Sequence, residues 1–262
     1  MSGKPVALIT GGAGGIGLAC AQKLAERFQV AIADRDEEMA SRAAVATGGT
    51  GVQCDVTSDR SVADCLERIE RDVGPVSALV TVAGVIQERH FTPEEFVQDE
   101  WDRVMDINAK GTWICCRLIG GRMAQRGQGS IVTISSVAGQ RSWPTHAYGP
   151  SKAAVLQMTR NLAVEWGRSG VRVNSVSPGF TWTKRLQELG RSRGADDDRM
   201  IRNTALGRWI APEEIANAVA FLISDDASAI TGIDLPVDAG WLSGINWVGM
   251  RADGIPLARS RT

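Results

Sequence analysis

Short apolar runs alternate with longer amphipathic stretches along the chain, and this alternation constrains the fold more than any other sequence feature. The apolar runs predict strands at Val6–Thr10, Val30–Ala33, Gly51–Cys54, Ala78–Val82, Ile131–Ile134, Val171–Val176 and Asp234–Val237. Helical spacing predicts helices at Ile16–Phe28, in the charged stretch through Arg42, and at Ser61–Val73, Trp101–Met123, Ser151–Trp166 and Pro212–Leu222. Strands separated by helices pair in parallel through right-handed crossovers, so we predict an α/β fold with a doubly wound parallel sheet in three layers.

Length and composition favour one domain with a buried core. The chain has 262 residues, of which 44% are hydrophobic and 23% are charged, and these values are ordinary for a globular protein. It contains no internal repeat and no low-complexity linker. We therefore assign residues 1–250 to a single domain and residues 251–262 to a polar C-terminal tail.

Charge, hydropathy and cysteine content argue against several classes of partner. A net charge of −1 gives no long-range field for nucleic acid or an anionic membrane, and no apolar run approaches the length of a membrane span. The first residues, Met1–Pro5, enter a strand directly and lack the apolar stretch of a signal peptide. The five cysteines form no Cys-x-x-Cys pair. We expect free thiols, no metal site and a cytoplasmic location.

A glycine-rich turn, residues 10–17 (Thr-Gly-Gly-Ala-Gly-Gly-Ile-Gly), lies between the first strand and the first helix. Glycines in that position let the backbone approach a pyrophosphate at the helix N-terminus, as in Rossmann-like folds. Asp34 follows the second strand, where a carboxylate binds a ribose 2′-hydroxyl and repels a 2′-phosphate. Gly14 offers no positive charge to such a phosphate. These residues favour NAD over NADP, although the neighbouring Arg35 has the charge to approach a 2′-phosphate.

Tyr148 and Lys152 stand four residues apart, on one face of a helix if the helix begins there. Tyr148 is the only tyrosine in the chain. A nearby cation favours the phenolate form of a tyrosine, which suits proton transfer. An isolated Tyr-x-x-x-Lys is more often a half-buried tyrosine beside a solvated lysine, so the pair gains weight only from its surroundings.

These surroundings resemble the short-chain dehydrogenase/reductase family to about Leu242. The motifs that carry the resemblance occur in order: residues 10–17, Cys54-Asp-Val-Thr57, Ala83-Gly84, Asp106-Ile-Asn108, Ile134-Ser-Ser136, Tyr148-x-x-x-Lys152, Asn174-Ser-Val-Ser-Pro-Gly179 and Asp238-Ala-Gly240. The resemblance implies a dinucleotide-binding and catalytic domain that moves a hydride between a nicotinamide and a carbon bearing a hydroxyl or ketone.

The resemblance also implies roles for individual residues. Tyr148 matches the general acid/base, and Ser136 matches the serine that bonds the reacting oxygen, although Ser135 remains an alternative. Lys152 matches the lysine that binds the nicotinamide ribose. Asn108 matches the asparagine that helps to hold a relay water, although it also suits a helix cap or kink. The implied cofactor-binding residues are Gly11, Gly14, Gly15, Ile16, Gly17, Asp34, Arg35, Asp55, Val56, Ala83, Gly84, Tyr148, Lys152, Pro178, Gly179, Thr181 and Thr183.

The chain departs from the family pattern at three points. Thr81-Val82-Ala83-Gly84 replaces the usual Asn-Asn-Ala-Gly, so we expect altered hydrogen bonding there with cofactor binding intact. Tyr148 follows Ser136 by 12 residues, one fewer than is commonest, which alters the loop over residues 137–147. Thr181 stands where a branched apolar residue is frequent.

The substrate is less constrained. We expect the pocket to include Ser136, Trp143, His146 and Tyr148, together with Gln140–Ser142, residues 87–90 and a polar substrate lid over residues 180–209. For His146, a side chain that points to solvent is as well supported as one that contacts the substrate. Polar residues around Trp143 favour a polyol, a sugar or a cyclic hydroxy compound. Reduction of a 3-oxoacyl thioester with NADPH is the alternative.

Two other classes are disfavoured. A non-enzymatic cofactor sensor has no reason to keep Ser136, Tyr148 and Lys152 together, and an extended epimerase or lyase needs a longer C-terminal substrate domain. The family resemblance further implies a homotetramer. Trp101 and Trp113 fall on helices that pair subunits in the family, and the segment after Leu242 is expected to reach a neighbouring subunit.

Overall fold

Seven parallel strands form one sheet at the centre of the computed structural model, which describes residues 3–87, 92–184, 186 and 200–244. The strands are β1 (Val6–Thr10), β2 (Gln29–Asp34), β3 (Thr50–Gln53), β4 (Val76–Thr81), β5 (Gly129–Ile134), β6 (Val171–Pro178) and β7 (Asp234–Val237). Their order across the sheet is β3-β2-β1-β4-β5-β6-β7, with every neighbouring pair parallel. The predicted doubly wound sheet is confirmed.

Helices cover both faces of this sheet. They are α1 (Gly15–Leu24), α2 (Glu37–Thr47), α3 (Asp59–Asp72), α4 (Gln98–Met105), α5 (Gly111–Cys115), α6 (Gly121–Arg126), α7 (Tyr148–Gly167) and α8 (Pro212–Ile223). Two π-helical turns, Asp106–Lys110 and Cys116–Gly120, join α4, α5 and α6 end to end. The predicted helix over residues 101–123 therefore begins earlier and ends later, at residues 98 and 126.

Alternate residues of β1 point to opposite faces, which divides the core in two. Val6 and Leu8 pack with apolar residues of α3, α5 and α7. Ala7 and Ile9 pack with α1, α2 and α8 on the other face. Two helical layers thus enclose a sheet that is buried on both sides, as its nearly continuous apolar strands predict.

Local sequence sets the ends of several helices. Asp36 caps α2 by accepting a 3.0 Å hydrogen bond from the Met39 amide, and Ser58 caps α3. The first helix was predicted to continue to Phe28 but ends at Leu24, where the Arg27 amide donates a 3.0 Å hydrogen bond to the Leu24 carbonyl three residues earlier and tightens the last turn.

The order of the strands reverses between β1 and β4, and a ligand-binding crevice forms at such a reversal, beyond the carboxyl ends of the strands. The residues singled out from the sequence follow β1, β2, β3, β4, β5 and β6 at this edge. The polar tail over 251–262 lies outside the described residues, as do residues 185 and 187–199 of the predicted lid over 180–209.

Candidate active site

The glycine-rich turn after β1 packs so closely that two of its positions exclude side chains. A Cβ on Gly11, where φ is +63°, would lie 2.6 Å from the Ala83 Cα, and one on Gly17 would lie 2.1 Å from the Gly11 carbonyl oxygen. Gly14 is the N-cap of α1 and supplies no side-chain hydrogen bond, and a Cβ there would meet no atom within 4 Å. Gly14 and Gly15 are exposed, so the N-terminus of α1 is open, which fits a pyrophosphate.

Asp34 lies at the end of β2 beside this turn. Its Oδ2 accepts a 3.3 Å hydrogen bond from the Ala13 amide, and its Oδ1 accepts one of 3.3 Å from the Asp36 amide. The carboxylate is thus held next to the glycine turn by backbone donors, where it fits a ribose diol. Arg35 is exposed, and its backbone carbonyl accepts a hydrogen bond from the side-chain Nε2 of Gln53.

The next two strands place the remaining residues predicted to flank a nucleotide. Asp55 follows β3 and accepts from the Thr57 amide at 2.9 Å and hydroxyl at 2.8 Å, while Val56 is buried. Ala83 follows β4 against Gly11. A Cβ on Gly84 would lie 3.2 Å from the Asn108 Oδ1 and 3.5 Å from the Lys152 Nζ, so this backbone borders the catalytic groups.

A cavity of about 430 Å³ opens beside these loops. Its described lining includes three of the four residues predicted to be catalytic, Ser136, Tyr148 and Lys152, with Ile16, Gly84, Pro178, Gly179, Thr181 and Thr183 of the predicted cofactor set. Residues far apart in sequence therefore converge on one space, as the motifs indicated.

Lys152 is buried in the first turns of α7. Its Nζ donates a 2.8 Å hydrogen bond to the Ile134 carbonyl and lies 5.8 Å from the centroid of the Tyr148 ring. Burial lowers the pKa of the Lys152 ammonium from 10.5 to about 8. Tyr148 is the first residue of α7, so the helix begins where the four-residue spacing needs it.

The two adjacent serines after β5 have different partners. The Ser135 Oγ donates a 2.8 Å hydrogen bond to the Lys152 carbonyl. The Ser136 Oγ accepts one of 3.2 Å from the Ala138 amide, which uses a lone pair and leaves the hydroxyl proton to be donated. This geometry favours Ser136 over Ser135 as the group that bonds a reacting oxygen.

Asn108 lies in the π-helical turn between α4 and α5 and is fully buried. Its Oδ1 accepts from the Val85 amide at 2.8 Å, and its Nδ2 donates to the Val85 carbonyl at 2.9 Å and to the Ser151 Oγ at 3.0 Å. The side chain thus ties the loop after β4 to α7. Its part in a proton relay stays a prediction.

The segment after β6 faces the glycine turn. A Cβ on Gly15 would lie 3.5 Å from the Thr183 Cγ2. The hydroxyl of Thr181 donates a 3.1 Å hydrogen bond to the Gly179 carbonyl, and residue 181 forms a β-bridge with Ile210. Thr181 is thus buried and hydrogen-bonded at a position where the family frequently has a branched apolar residue.

Val82 follows β4 at a position where the family usually has asparagine. Its amide donates a 3.1 Å hydrogen bond to the Thr10 carbonyl. Thr10 and Thr81 are register partners on these strands, and their buried hydroxyls have no hydrogen-bond partner within the described part of the chain. The expected change in hydrogen bonding relative to the family pattern stays a prediction.

The structure places some of the residues predicted to contact substrate in the cavity lining and others outside it. Trp143 lines the cavity, whereas the His146 ring packs edge-on against Phe96, with centroids 6.0 Å apart, and is absent from the described lining. Gln87 is buried, and its Oε1 accepts a 3.2 Å hydrogen bond from the Ala147 amide. Residues 88–90 of the predicted pocket lie outside the described residues.

Sequence analysis missed several contributors to the site. Ser151 accepts from Asn108 and donates a 2.7 Å hydrogen bond to the Tyr148 carbonyl, and its place beside Lys152 was the available signal. Trp241 lines the cavity beside Trp143 and directly follows the Asp238-Ala-Gly240 motif, whereas Phe180, which also lines it, is the first residue of the predicted lid. Within the described residues, no helix has the length and apolarity to cross a membrane.

Comparisons with known proteins extend over most of the chain. A family model described as enoyl-(acyl carrier protein) reductase matches residues 11–242. A D-threitol dehydrogenase from Mycolicibacterium smegmatis is 38% identical over 250 residues, covering 92% of this chain and 94% of that protein. A cis-4-hydroxycyclohexanecarboxylate dehydrogenase from Sinomonas cyclohexanicum is 36% identical over 242 residues, with coverage of 90% and 96%. A solved structure described as ribose-5-phosphate isomerase from Brucella melitensis 16M superposes with a TM-score of 0.92 at 46% identity, covering 97% of both chains.

Proposed function

The chain belongs to the short-chain dehydrogenase/reductase family, and from this premise we propose that it uses NAD to interconvert a secondary alcohol and a ketone. It is an oxidoreductase that acts on CH–OH groups. The single observation that carries the proposal is the convergence of Ser136, Tyr148 and Lys152 on one cavity that opens beside the glycine turn.

Each of these side chains has a distinct task in the proposed reaction. In oxidation, the Tyr148 oxygen takes the hydroxyl proton of the alcohol, and the Ser136 hydroxyl donates a hydrogen bond to the reacting oxygen. The ammonium of Lys152 stabilises negative charge on the phenol oxygen. A nicotinamide cofactor held at the glycine turn and Asp34 would supply the acceptor for the hydride that leaves the alcohol carbon as the ketone forms. Reduction reverses each transfer.

NAD is proposed over NADP on the position of Asp34. Its carboxylate is fixed beside the glycine turn by two backbone amides. A 2′-phosphate there would meet a negative charge, while a free 2′-hydroxyl would find an acceptor. Gly14 adds no cation. The residues present thus fit the cofactor that carries a free 2′-hydroxyl.

We further propose a cytoplasmic homotetramer. All five cysteines are buried free thiols, which suits a reducing compartment. Trp113 lies on α5 with 42% of its surface exposed, as expected of a residue that packs against a neighbouring subunit. The segment after Leu242, predicted to reach that subunit, is described only to residue 244.

A polyol, a sugar or a cyclic hydroxy compound is the proposed substrate class. The relatives named above include one enzyme described by an open-chain polyol and one described by a hydroxylated cyclohexane ring. Both carry a secondary alcohol, so the proposed chemistry is common to them. The names of these relatives do not distinguish an open-chain substrate from a cyclic one, so the shape and chemistry of the cavity must do so.

The test is turnover by wild-type protein and by Tyr148→Phe with NAD and a panel of secondary alcohols. We expect Tyr148→Phe to lower kcat by at least about 10², with NAD affinity measured by calorimetry unchanged. Retained turnover in this variant would refute the assigned chemistry. Equal cofactor binding without turnover in either protein would instead support the cofactor-sensing alternative.

Two further outcomes separate other functions. Reduction of an acetoacetyl thioester with NADPH, faster than oxidation of any alcohol, would support a thioester reductase, as the description of the matching family model favours. Conversion of a sugar without net change in cofactor absorbance would support an isomerase, the activity named for the similar Brucella structure.

A further inference from the structure

Three aromatic rings meet in the lining of the cavity. Trp143 and Phe180 have centroids 5.6 Å apart, Trp143 and Trp241 are 5.7 Å apart, and Phe180 and Trp241 are 6.0 Å apart. All three line the cavity that contains Ser136 and Tyr148. We call this triangle of rings the aromatic wall.

The aromatic wall is built from three neighbouring strands. Trp143 lies in the loop after β5, Phe180 follows β6 and Trp241 follows β7. Offset or edge-on aromatic packing at these distances is favourable and fixes the rings against one another. The wall is therefore a rigid feature of the carboxyl edge of the sheet.

Arg141 supports the aromatic wall from outside the described cavity lining. Its guanidinium lies 5.1 Å from the centroid of the Trp241 ring, within the range of a cation–π contact. Its Nη1 also donates a 3.4 Å hydrogen bond to the Trp241 carbonyl. The positive charge of Arg141 thus contacts Trp241. Lys152 is the only charged side chain in the described lining.

The hydroxyl groups in the described lining are mostly occupied. Ser135 donates to the Lys152 carbonyl and Thr181 donates to the Gly179 carbonyl, while Thr183 accepts from the Leu186 amide. Thr145 has a buried hydroxyl without a hydrogen-bond partner in the described region. Beside Ser136 and Tyr148, the hydroxyl of Thr183 keeps a proton to donate, so the described lining offers few partners to a substrate with several hydroxyls.

We propose that the aromatic wall of Trp143, Phe180 and Trp241 selects a secondary alcohol or ketone carried by a compact apolar ring over an open-chain polyol. The inference rests on the proposed function, because Ser136 and Tyr148 must act on the oxygen of that ring. Most additional hydroxyls of a polyol would lose water against the apolar side chains of the described lining without gaining a partner there. A ring would bury apolar surface against the wall.

The test compares kcat/KM for cyclohexanol with kcat/KM for D-threitol and glycerol, with NAD in each assay. We expect wild-type protein to prefer cyclohexanol by at least about tenfold, the scale on which apolar pockets discriminate. Trp143→Ala and Trp241→Ala should each lower this preference by about tenfold or more, while Trp143→Phe keeps most of it. Phe221→Ala, an exposed aromatic residue of α8 outside the described cavity lining, is the matched control and should leave the preference unchanged.

Binding separates this inference from the proposed function. Cyclohexanone should bind to NADH-loaded Tyr148→Phe protein in calorimetry, and the added Trp143→Ala change should weaken it. Turnover of polyols in preference to cyclohexanol would overturn the inference and leave the proposed function intact. Binding of cyclohexanone without turnover in wild-type protein would contradict the proposed function and leave the role of the aromatic wall in ring binding intact. Because Trp143 is 38% exposed and Trp241 only 6%, Trp143→Ala decides if Trp241→Ala does not fold.

Discussion

The ammonium nitrogen of Lys152 donates a 2.8 Å hydrogen bond to the carbonyl oxygen of Ile134, the last residue of β5. In return, the Ser135 hydroxyl donates to the Lys152 carbonyl at 2.8 Å. These two bonds join the end of β5 to the first turns of α7. They fix the distance between the strand that carries Ser136 and the helix that carries Tyr148.

Burial of this ammonium has a cost that the protein should show in its stability. The pKa of Lys152 is lowered from 10.5 to about 8 in the folded state. Below pH 8 both states are protonated, and the folded state bears the full desolvation penalty. The penalty is relieved as pH rises from about 8 to about 10.5, so this residue makes stability increase with pH in that window.

Lys152→Met should therefore be more stable than wild-type protein at pH 7. The pKa shift corresponds to about 3 kcal/mol, and about 1–3 kcal/mol is lost because the Ile134 carbonyl is left without its partner. We expect a net gain of roughly 0–2 kcal/mol at pH 7 that falls away near pH 10, together with loss of turnover. Urea denaturation of both cofactor-free proteins at the two pH values measures it. A variant that is less stable at pH 7 would contradict the cost of burial.

The two serines after β5 should separate into a catalytic and a structural residue. Ser136→Ala should lower kcat by about 10²–10³ by removing a donor to the reacting oxygen, with little change in urea midpoint. Ser135→Ala should lower the free energy of unfolding by about 1 kcal/mol because it removes a buried hydrogen bond, and should retain most activity. The opposite pattern would assign the reacting oxygen to Ser135.

Local sequence patterns predicted the fold and the residues at the carboxyl edge of the sheet, because each pattern depends on residues that are close in sequence. The apolar run of β1 and the glycines after it sufficed to place Gly11 and Gly17, and Asp34 followed from the end of β2. The aromatic wall depends instead on how far three loops project from neighbouring strands, which no local pattern encodes. Likewise, His146 turns towards Phe96 through tertiary packing.

Cofactor preference should change with two substitutions at the glycine turn. Asp34→Ala removes the negative charge beside the ribose, so the preference for NAD over NADP should fall by about tenfold or more. Gly14 has extended backbone, and a side chain there would enter open space, so Gly14→Arg should fit and attract a 2′-phosphate. We expect the double variant to favour NADP. The ratio of kcat/KM for the two cofactors measures both effects, and an unchanged ratio in Asp34→Ala would overturn the assignment of NAD.

Gly17 and Gly14 offer a matched pair for the packing of α1 against the turn. A Cβ on Gly17 would lie 2.1 Å from the Gly11 carbonyl oxygen and 2.9 Å from the Gly12 Cα, both backbone atoms that cannot move without displacing the turn. Gly17→Ala should lower the free energy of unfolding by about 1–3 kcal/mol through overpacking and weaken NAD binding. Gly14→Ala meets no atom within 4 Å and should leave stability unchanged. Urea denaturation and calorimetry with NAD test both variants, and equal NAD affinity in Gly17→Ala and wild-type protein would show that the turn does not hold the pyrophosphate.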